Sequence, residues 1–488
     1  MTTRAAGAAP AAGPVRAEDF DSAASLDSAA RALEQAAHGR GPIAVMLRVP
    51  RIDPIPLFFS DTAVATHDDA FYWRDREGTL LAGAGVAVEL RGTGVDRFRD
   101  LAERAAAICD VLTAHAPDPV GTPPPRFFGG LAFAPGAADA AEWGGLGDAR
   151  FVLPELGYMA ERDEAWLSLA LGEDARSSGA ARTAALERLE TTLEQVAALA
   201  QARGAGRGAA EDEGGPATEL PHLIDVEDAA GDAHYEELVR GALEAIRSGV
   251  ARKIVVARRA QGRLDGEASV DALLDRLRRA VGAFRYAIHS GDALFVGASP
   301  ERLAARRGGI VQTEAVAGTA ALDDEEPLET RDKDRREQEL VVRAIAETLS
   351  PLCACLSYDP APQERRVGPV RHLATTFECR LRDRPHVLTV LEALHPTPAV
   401  GGWPTDAALR WIHEHEAQPR GWYASPVGWF DAAGDGEFAV ALRCGLLRGD
   451  TLDLFAGAGI VAGSDAVAER DETRLKLRAL PEALGIAR

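Results

Sequence analysis

The chain has 488 residues, 46% of them hydrophobic, and its 54 Lys+Arg against 75 Asp+Glu give a formal charge of −21. Such a length and apolar content fit two to four ordinary domains or one large core, and they exclude disorder throughout. The acid excess argues against a nucleic-acid partner, which needs clustered Lys and Arg, although a local metal or basic pocket would still attract a small anion.

In chain order, residues 1–18 are rich in Ala, Gly and Pro without periodicity and read as a flexible tail. The N-terminal part, 19–220, opens with strand-like PIAVMLRV (42–49) and a helical stretch over 98–116. FFGGLAFAP (127–135) is a Gly-interrupted apolar run that fits a buried strand, and an amphipathic helix covers 178–203. RGAGRGAAEDEGGPATEL (203–220) is a boundary or a long surface loop and separates this part from 221–488.

Beyond the boundary, a helix over 233–249 precedes strand-like RKIVVARRA (252–260), and 285–306 reads as two strands joined at Ser-Gly-Asp. A helix follows over 333–351, then a hairpin within 434–461 around Arg-Gly-Asp, then a terminal helix over 467–484. Hairpin-linked strands with helices beside them predict an α+β fold on antiparallel sheet. The five cysteines, Cys109, Cys353, Cys355, Cys379 and Cys444, have no CxxC spacing and no disulfide framework; they are expected as buried thiols of a cytoplasmic protein. No signal-peptide core and no apolar run of membrane-spanning length is expected either.

Several residues stand out chemically. Lys253 interrupts an apolar strand, either as an edge residue reaching solvent or as a desolvated amine fit to be a base. Glu301, after Ser299-Pro300, is either a helix N-terminal charge or a general acid at the mouth of a sheet. Asp334 with Glu337, and Glu469 with Glu472, each put two carboxylates on one helical face; if the faces meet they suit Mg2+, and otherwise they are solvated faces. Gly457-Ala458-Gly459 is weak evidence for a phosphate site but permits close backbone approach to a carboxylate. His395, between Leu394 and Pro396, is either a loop histidine or a site residue.

Taken together and in order, ARKIVVARR, GASPERL, TEAVAGTA, KDRREQELVV, LHPTPAVGG, RGWYASPVGWFD, GDGEFAVALR, FAGAGIVAGSD and ERDETRLKL resemble the chorismate-binding enzymes: isochorismate, salicylate, anthranilate and aminodeoxychorismate synthases. The resemblance spans about 230–485 and implies the anthranilate synthase component I-like fold, a two-layered antiparallel β core with helices outside. In LHPTPAVGG and TEAVAGT it is similar to the isochorismate synthases in particular, especially the menaquinone type, and Lys253 implies water as nucleophile, because members that use ammonia generally carry Gln there. The activity implied is an isomerase reaction in which Lys253 activates water against C2 of chorismate and Glu301 protonates the departing C4 hydroxyl. By the same resemblance Glu337 and Glu472 hold Mg2+, Asp334 and Glu469 assist, and Thr319, His395, Tyr423, Arg443, Gly457 and Lys476 bind substrate.

Salicylate synthase, which goes on to eliminate pyruvate, and the aminating subunits, which need a glutaminase partner, are the rival implications. A catalytically dead binding protein is a third reading. Chorismate is the expected partner; no glutaminase, nucleic acid or membrane is expected, and water-using relatives are often monomers. Ser425 stands where relatives usually carry Gly, beside the implied pocket.

Overall fold

A computed structural model describes residues 13–60, 62–63, 67–118, 121–138, 141–204, 220–228, 231–321, 324, 326–367 and 370–487. Most of the N-terminal tail and most of the 203–220 stretch therefore lie outside the described residues. Two large sheets dominate. The first runs in the order Leu223–Asp228, Lys253–Leu264, Thr451–Val461, Cys444–Arg448, Ala293–Ser299, Phe284–Ser290, Asp69–Arg74, Leu80–Ala84, Leu156–Glu161, Glu164–Leu171, Ile43–Val49 and Thr113–His115. The second runs Cys353–Tyr358, Val370–Leu381, Ile310–Ala321, Arg302–Arg307, Gly436–Val440, Pro426–Asp431, Arg126–Leu131, Ala149–Leu153 and Val88–Arg91. Pairing is antiparallel except between Ile43–Val49 and Thr113–His115, and both sheets take strands from either side of residue 220.

Alternation along one strand shows why the layers form. In Ile43–Val49, Ala44 and Met46 join an aromatic-rich core with Phe127, Phe151, Trp429 and Phe430 of the other sheet. Ile43, Val45, Leu47 and Val49 face the opposite way, into a second core. A strand buried on both faces reads as an apolar run, which is why Ile43–Val49 is apolar but for Arg48. The helices Ser22–Ala36, Gly179–Gly204 and Ala466–Leu484 supply Leu33, Leu189 and Leu480 to the second core. The α+β architecture is the expected one.

Three local readings change. The helix expected over 98–116 is Arg97–Val111, and its tail becomes the short strand Thr113–His115. The run 127–135 is strand only to Leu131. Residues 285–306 hold three strands, because the chain breaks at Pro300-Glu301 and passes from the first sheet to the second. Cys353 and Cys379 are disulfide-bonded across neighbouring strands, which corrects the reading of all five cysteines as thiols. Cys355 is exposed and Cys444 buried. Among the described residues no helix is long and apolar enough to cross a membrane.

Candidate active site

Two crossovers between the sheets build one wall of the site. Ala293–Ser299 leads into Arg302–Arg307 through Pro300 and Glu301, and Gly436–Val440 returns to Cys444–Arg448 through Ala441, Leu442 and Arg443. These segments are tied together: Val440 N donates to Glu301 O at 3.1 Å, Ser299 Oγ to Val440 O, and Ala298 N to Arg443 O. Glu301 and Arg443 thus line the same cavity, which has about 860 Å3 of free space, some of it open to solvent. Glu337, His372, Tyr423, Gly457, Glu469, Glu472 and Lys476 line it too.

Glu301 is 3% exposed, and its Oε1 has no hydrogen-bond partner among the described residues. Burial, reinforced by the carboxylate of Glu314, pushes its acid up to about 8, so it is largely protonated at neutral pH and able to donate. Lys253 lies at the start of its strand, fully buried, with Nζ 2.8 Å from Glu337 Oε1. Of the two readings of Lys253, the solvent-reaching edge residue is therefore excluded. A Cβ on Gly459 would meet Glu337 Oε1 at 2.4 Å and Lys253 Cε at 2.7 Å, so the second glycine of the GAG run is what leaves room for this pair.

The acids of the two helices do converge. Asp332–Leu349 brings Glu337 to the cavity, and Ala466–Leu484, whose N-cap Asp465 accepts from Val467 N and Ala468 N, brings Glu469 and Glu472. Asp334 stands behind the left-handed Gly318, whose Cβ would fall 3.0 Å from Asp334 Cβ. Each lining carboxylate from these two helices holds a lysine: Glu337 with Lys253, Glu469 with Lys333 at 2.5 Å, and Glu472 with Lys476 at 2.6 Å. Burial, with Glu337 adding, lifts Asp334 to about 6, and burial plus Glu472 raises Glu469. Glu337, Glu469 and Glu472 on one side of the open cavity, with Asp334 beyond Gly318, are an all-oxygen set that fits a hard divalent cation such as Mg2+. Asp75, Glu77 and Glu437 form a tighter acidic group, but Arg302 bridges Glu77 and Glu437 there.

Among the implied substrate binders, Tyr423 stacks on Phe455, with ring centroids 5.5 Å apart, and burial pushes its phenol up. Lys476 donates to Gly457 O at 2.9 Å. The Thr319 side chain lies outside the described residues. His395 is not brought to the cavity: its Nε2 meets Phe133 O at 3.0 Å and its ring packs against Phe98 and Phe133, so the loop offers Ala399 and Val400 instead. Burial drops His395 to about 3, which suits a neutral structural imidazole and corrects its placement among the substrate binders. Ser425 is also turned away, donating to Leu131 O.

Two lining residues escaped the sequence reading. Arg443 NH2 lies 3.1 Å from His372 Nε2, and His372 Nδ1 is 3.1 Å from Gly318 O. These partners assign the tautomer with hydrogen on Nδ1, and burial with the Arg443 charge lowers the histidine to about 3. Its one signal in sequence is a histidine within the mixed polar and apolar strand Val370–Leu381. Lys333 adjoins Asp334 in the helix, and Glu469 and Glu472 hold its ammonium above the usual lysine range in spite of burial.

A family model described as "Chorismate binding enzyme" matches residues 28–485. The chain belongs to the chorismate-binding enzyme family. "Salicylate biosynthesis isochorismate synthase" of Pseudomonas aeruginosa is 34% identical over 91% of this chain and 90% of its own length. "Isochorismate synthase MenF" of Bacillus subtilis is 30% identical over 90% and 92%. The solved structure of MenF, "the Menaquinone-Specific Isochorismate Synthase from Escherichia Coli", covers 94% of this chain and 100% of that one at 25% identity and a TM-score of 0.68. Anthranilate synthase component I of Streptococcus pneumoniae, 23% identical with a TM-score of 0.59, covers 84% of this chain and 89% of that one and shares the fold. As a chorismate-binding enzyme the chain carries the expected fold across both halves, including the first 200 residues, which the motifs of 230–485 do not reach but the family match does.

Proposed function

We propose that the protein is an isochorismate synthase, an isomerase that converts chorismate to isochorismate. The observation that carries this reading is a buried acid and a buried amine at one site: Glu301, which lines the cavity and is largely protonated at neutral pH, and Lys253, whose Nζ lies against the lining carboxylate of Glu337. The names of the two long-matching relatives support it.

In the proposed reaction, Lys253 Nζ takes a proton from water as the water oxygen bonds to C2 of the ring. The ring double bonds shift, the C4–O bond breaks, and Glu301 gives its proton to the departing hydroxyl, so one water enters and one leaves. Arg443, aimed by His372, and Lys476 hold the substrate carboxylates by charge-assisted hydrogen bonds, and Tyr423 closes the pocket. Mg2+ held by Glu337 and Glu472, with Asp334 and Glu469 assisting, would supply positive charge to the ring carboxylate.

Water, not ammonia, is the proposed nucleophile, so no glutaminase subunit is required, and the enzyme works as a monomer in the cytoplasm. The product feeds menaquinone or siderophore synthesis, and the genes flanking its own distinguish these routes. Incubating pure protein with chorismate and Mg2+ and separating the products tests the activity: isochorismate is expected, whereas salicylate with pyruvate, or an aminated product formed only with ammonia, overturns it.

A further inference from the structure

Behind Glu301, three elements distant in sequence meet at one buried carboxylate. Glu314, in Ile310–Ala321, is 3% exposed and takes both guanidinium groups that flank it. Arg76, from the turn between Asp69–Arg74 and Leu80–Ala84, donates NH1 to Glu314 Oε2 at 3.2 Å and NH2 to Oε1. Arg365, from Gln363–Val367, donates to the same two oxygens at 2.7 and 3.2 Å. The cluster also grips the chain on both sides of the acid: Arg76 NH1 donates to Pro300 O at 3.3 Å, and Arg302 N donates to Glu314 Oε2 at 3.4 Å. Arg76 is fixed in turn by lying 4.7 Å above the Phe284 ring.

We propose that Arg76, Glu314 and Arg365 are positioning residues for the catalytic acid, clamping the Pro300-Glu301-Arg302 backbone so that the Glu301 carboxyl is presented to the cavity. The proposal rests on Glu301 being the acid, as argued above. It gives the N-terminal half a part in the chemistry through Arg76, and it explains why so costly a buried ion cluster adjoins the site. Burying such a cluster adds little net stability by itself, whereas a fixed backbone at the proton donor is worth much to a proton transfer.

The charges make the proposal testable in sign. The groups facing Glu301 are Glu314 from its own sheet, Arg365 from the adjoining hairpin, Lys253 from the first sheet and Lys476 from the terminal helix, with Arg76 behind Glu314. Glu314 favours the protonated acid and the cations disfavour it. Glu314→Gln therefore leaves two uncompensated guanidinium groups and favours ionised Glu301, while Arg365→Gln does the reverse.

The experiment measures kcat and KM for chorismate against pH, with Mg2+, for wild type, Glu301→Gln, Glu314→Gln, Arg365→Gln, Arg76→Ala and Arg76→Lys, with Tm for each. Expected are a kcat loss of about tenfold or more in Glu314→Gln and Arg76→Ala with KM within about twofold, and partial recovery in Arg76→Lys. The alkaline limb moves to lower pH in Glu314→Gln and to higher pH in Arg365→Gln. Unchanged kcat and limbs, limbs moving the same way, or activity falling only in step with Tm overturns the proposal while leaving Glu301 as the acid. Turnover retained by Glu301→Gln overturns the acid assignment itself, and the clamp with it. Arg365, at the cluster's more exposed edge, keeps the test decisive if Glu314→Gln does not fold.

Discussion

Glu301 and Arg443 occupy the two adjacent crossovers by which the same pair of hairpins passes from one sheet to the other. A proton donor and an anion-binding cation are thereby fixed by backbone hydrogen bonds between neighbouring strands. The turn at Arg443 requires φ of +47°, and Ala424 beside it has +61°, conformations that cost a non-glycine residue of order 1–3 kcal/mol. Both are held by the sheet: Ala298 N donates to Arg443 O, and Ala424 N to Ala441 O. Strain is stored where side chains must turn into the cavity.

The acid at Glu301 sets a pH limit. With its folded value near 8, turnover is expected to fall as pH rises through about 8, because the ionised form has no proton to give. Glu301→Gln is expected to lose about 10²–10⁴-fold in kcat. Stability carries the matching sign: a carboxyl raised on folding contributes fully below its unfolded value near 4.5 and loses that contribution as pH climbs through about 8. Glu301→Gln should therefore gain Tm relative to wild type at pH 9 compared with pH 5. No such crossover in paired melting curves would count against the raised acid.

Lys253→Ala removes the proposed base and strips Glu337 of its buried partner. A turnover loss of about 10²–10⁴-fold is expected, with chorismate still bound through Arg443 and Lys476. Calorimetric titration with chorismate, set beside turnover, separates the two effects; an active Lys253→Ala would remove the lysine from the mechanism.

How far the site could be read from sequence depended on where each residue's partners come from. Glu337 and Glu472 could be found because the i, i+3 carboxylates lie within single helices, a spacing visible locally. The fold class followed likewise from hairpins and alternation. Glu314 and His372 could not be found, because their meaning comes from Arg76, Arg365 and Arg443, brought together only by sheet order. His395 misled for the converse reason: Pro396 and Pro398, flanking Thr397, marked a rigid loop but not the direction of the histidine ring, which the Phe98 and Phe133 faces decide. The third strand in 285–306 was missed although Ser299-Pro300-Glu301-Arg302 interrupts the apolar pattern, because a local break does not say that the chain changes sheet there.

Stripping the protein with a chelator is expected to abolish turnover and Mg2+ to restore it. A readout independent of activity is the rise in Tm on adding Mg2+, which reports a cation binding the folded state. Glu469→Gln and Glu472→Gln should each blunt that rise. An undiminished rise in both would place the cation elsewhere.

Ser425→Gly tests a departure from the implied family pattern beside the pocket. Ser425 is fully buried, donates to Leu131 O at 2.5 Å and lies 3.3 Å from Trp422 O, and it pins the loop after Tyr423 to the strand Arg126–Leu131. Since the hydroxyl points away from the cavity, the substitution should leave kcat and KM within about twofold while costing about 1 kcal/mol for the lost hydrogen bond. Added backbone freedom from glycine costs a further ~0.5–1 kcal/mol, so Tm should fall measurably. A changed KM with unchanged Tm would mean instead that Ser425 reaches the substrate.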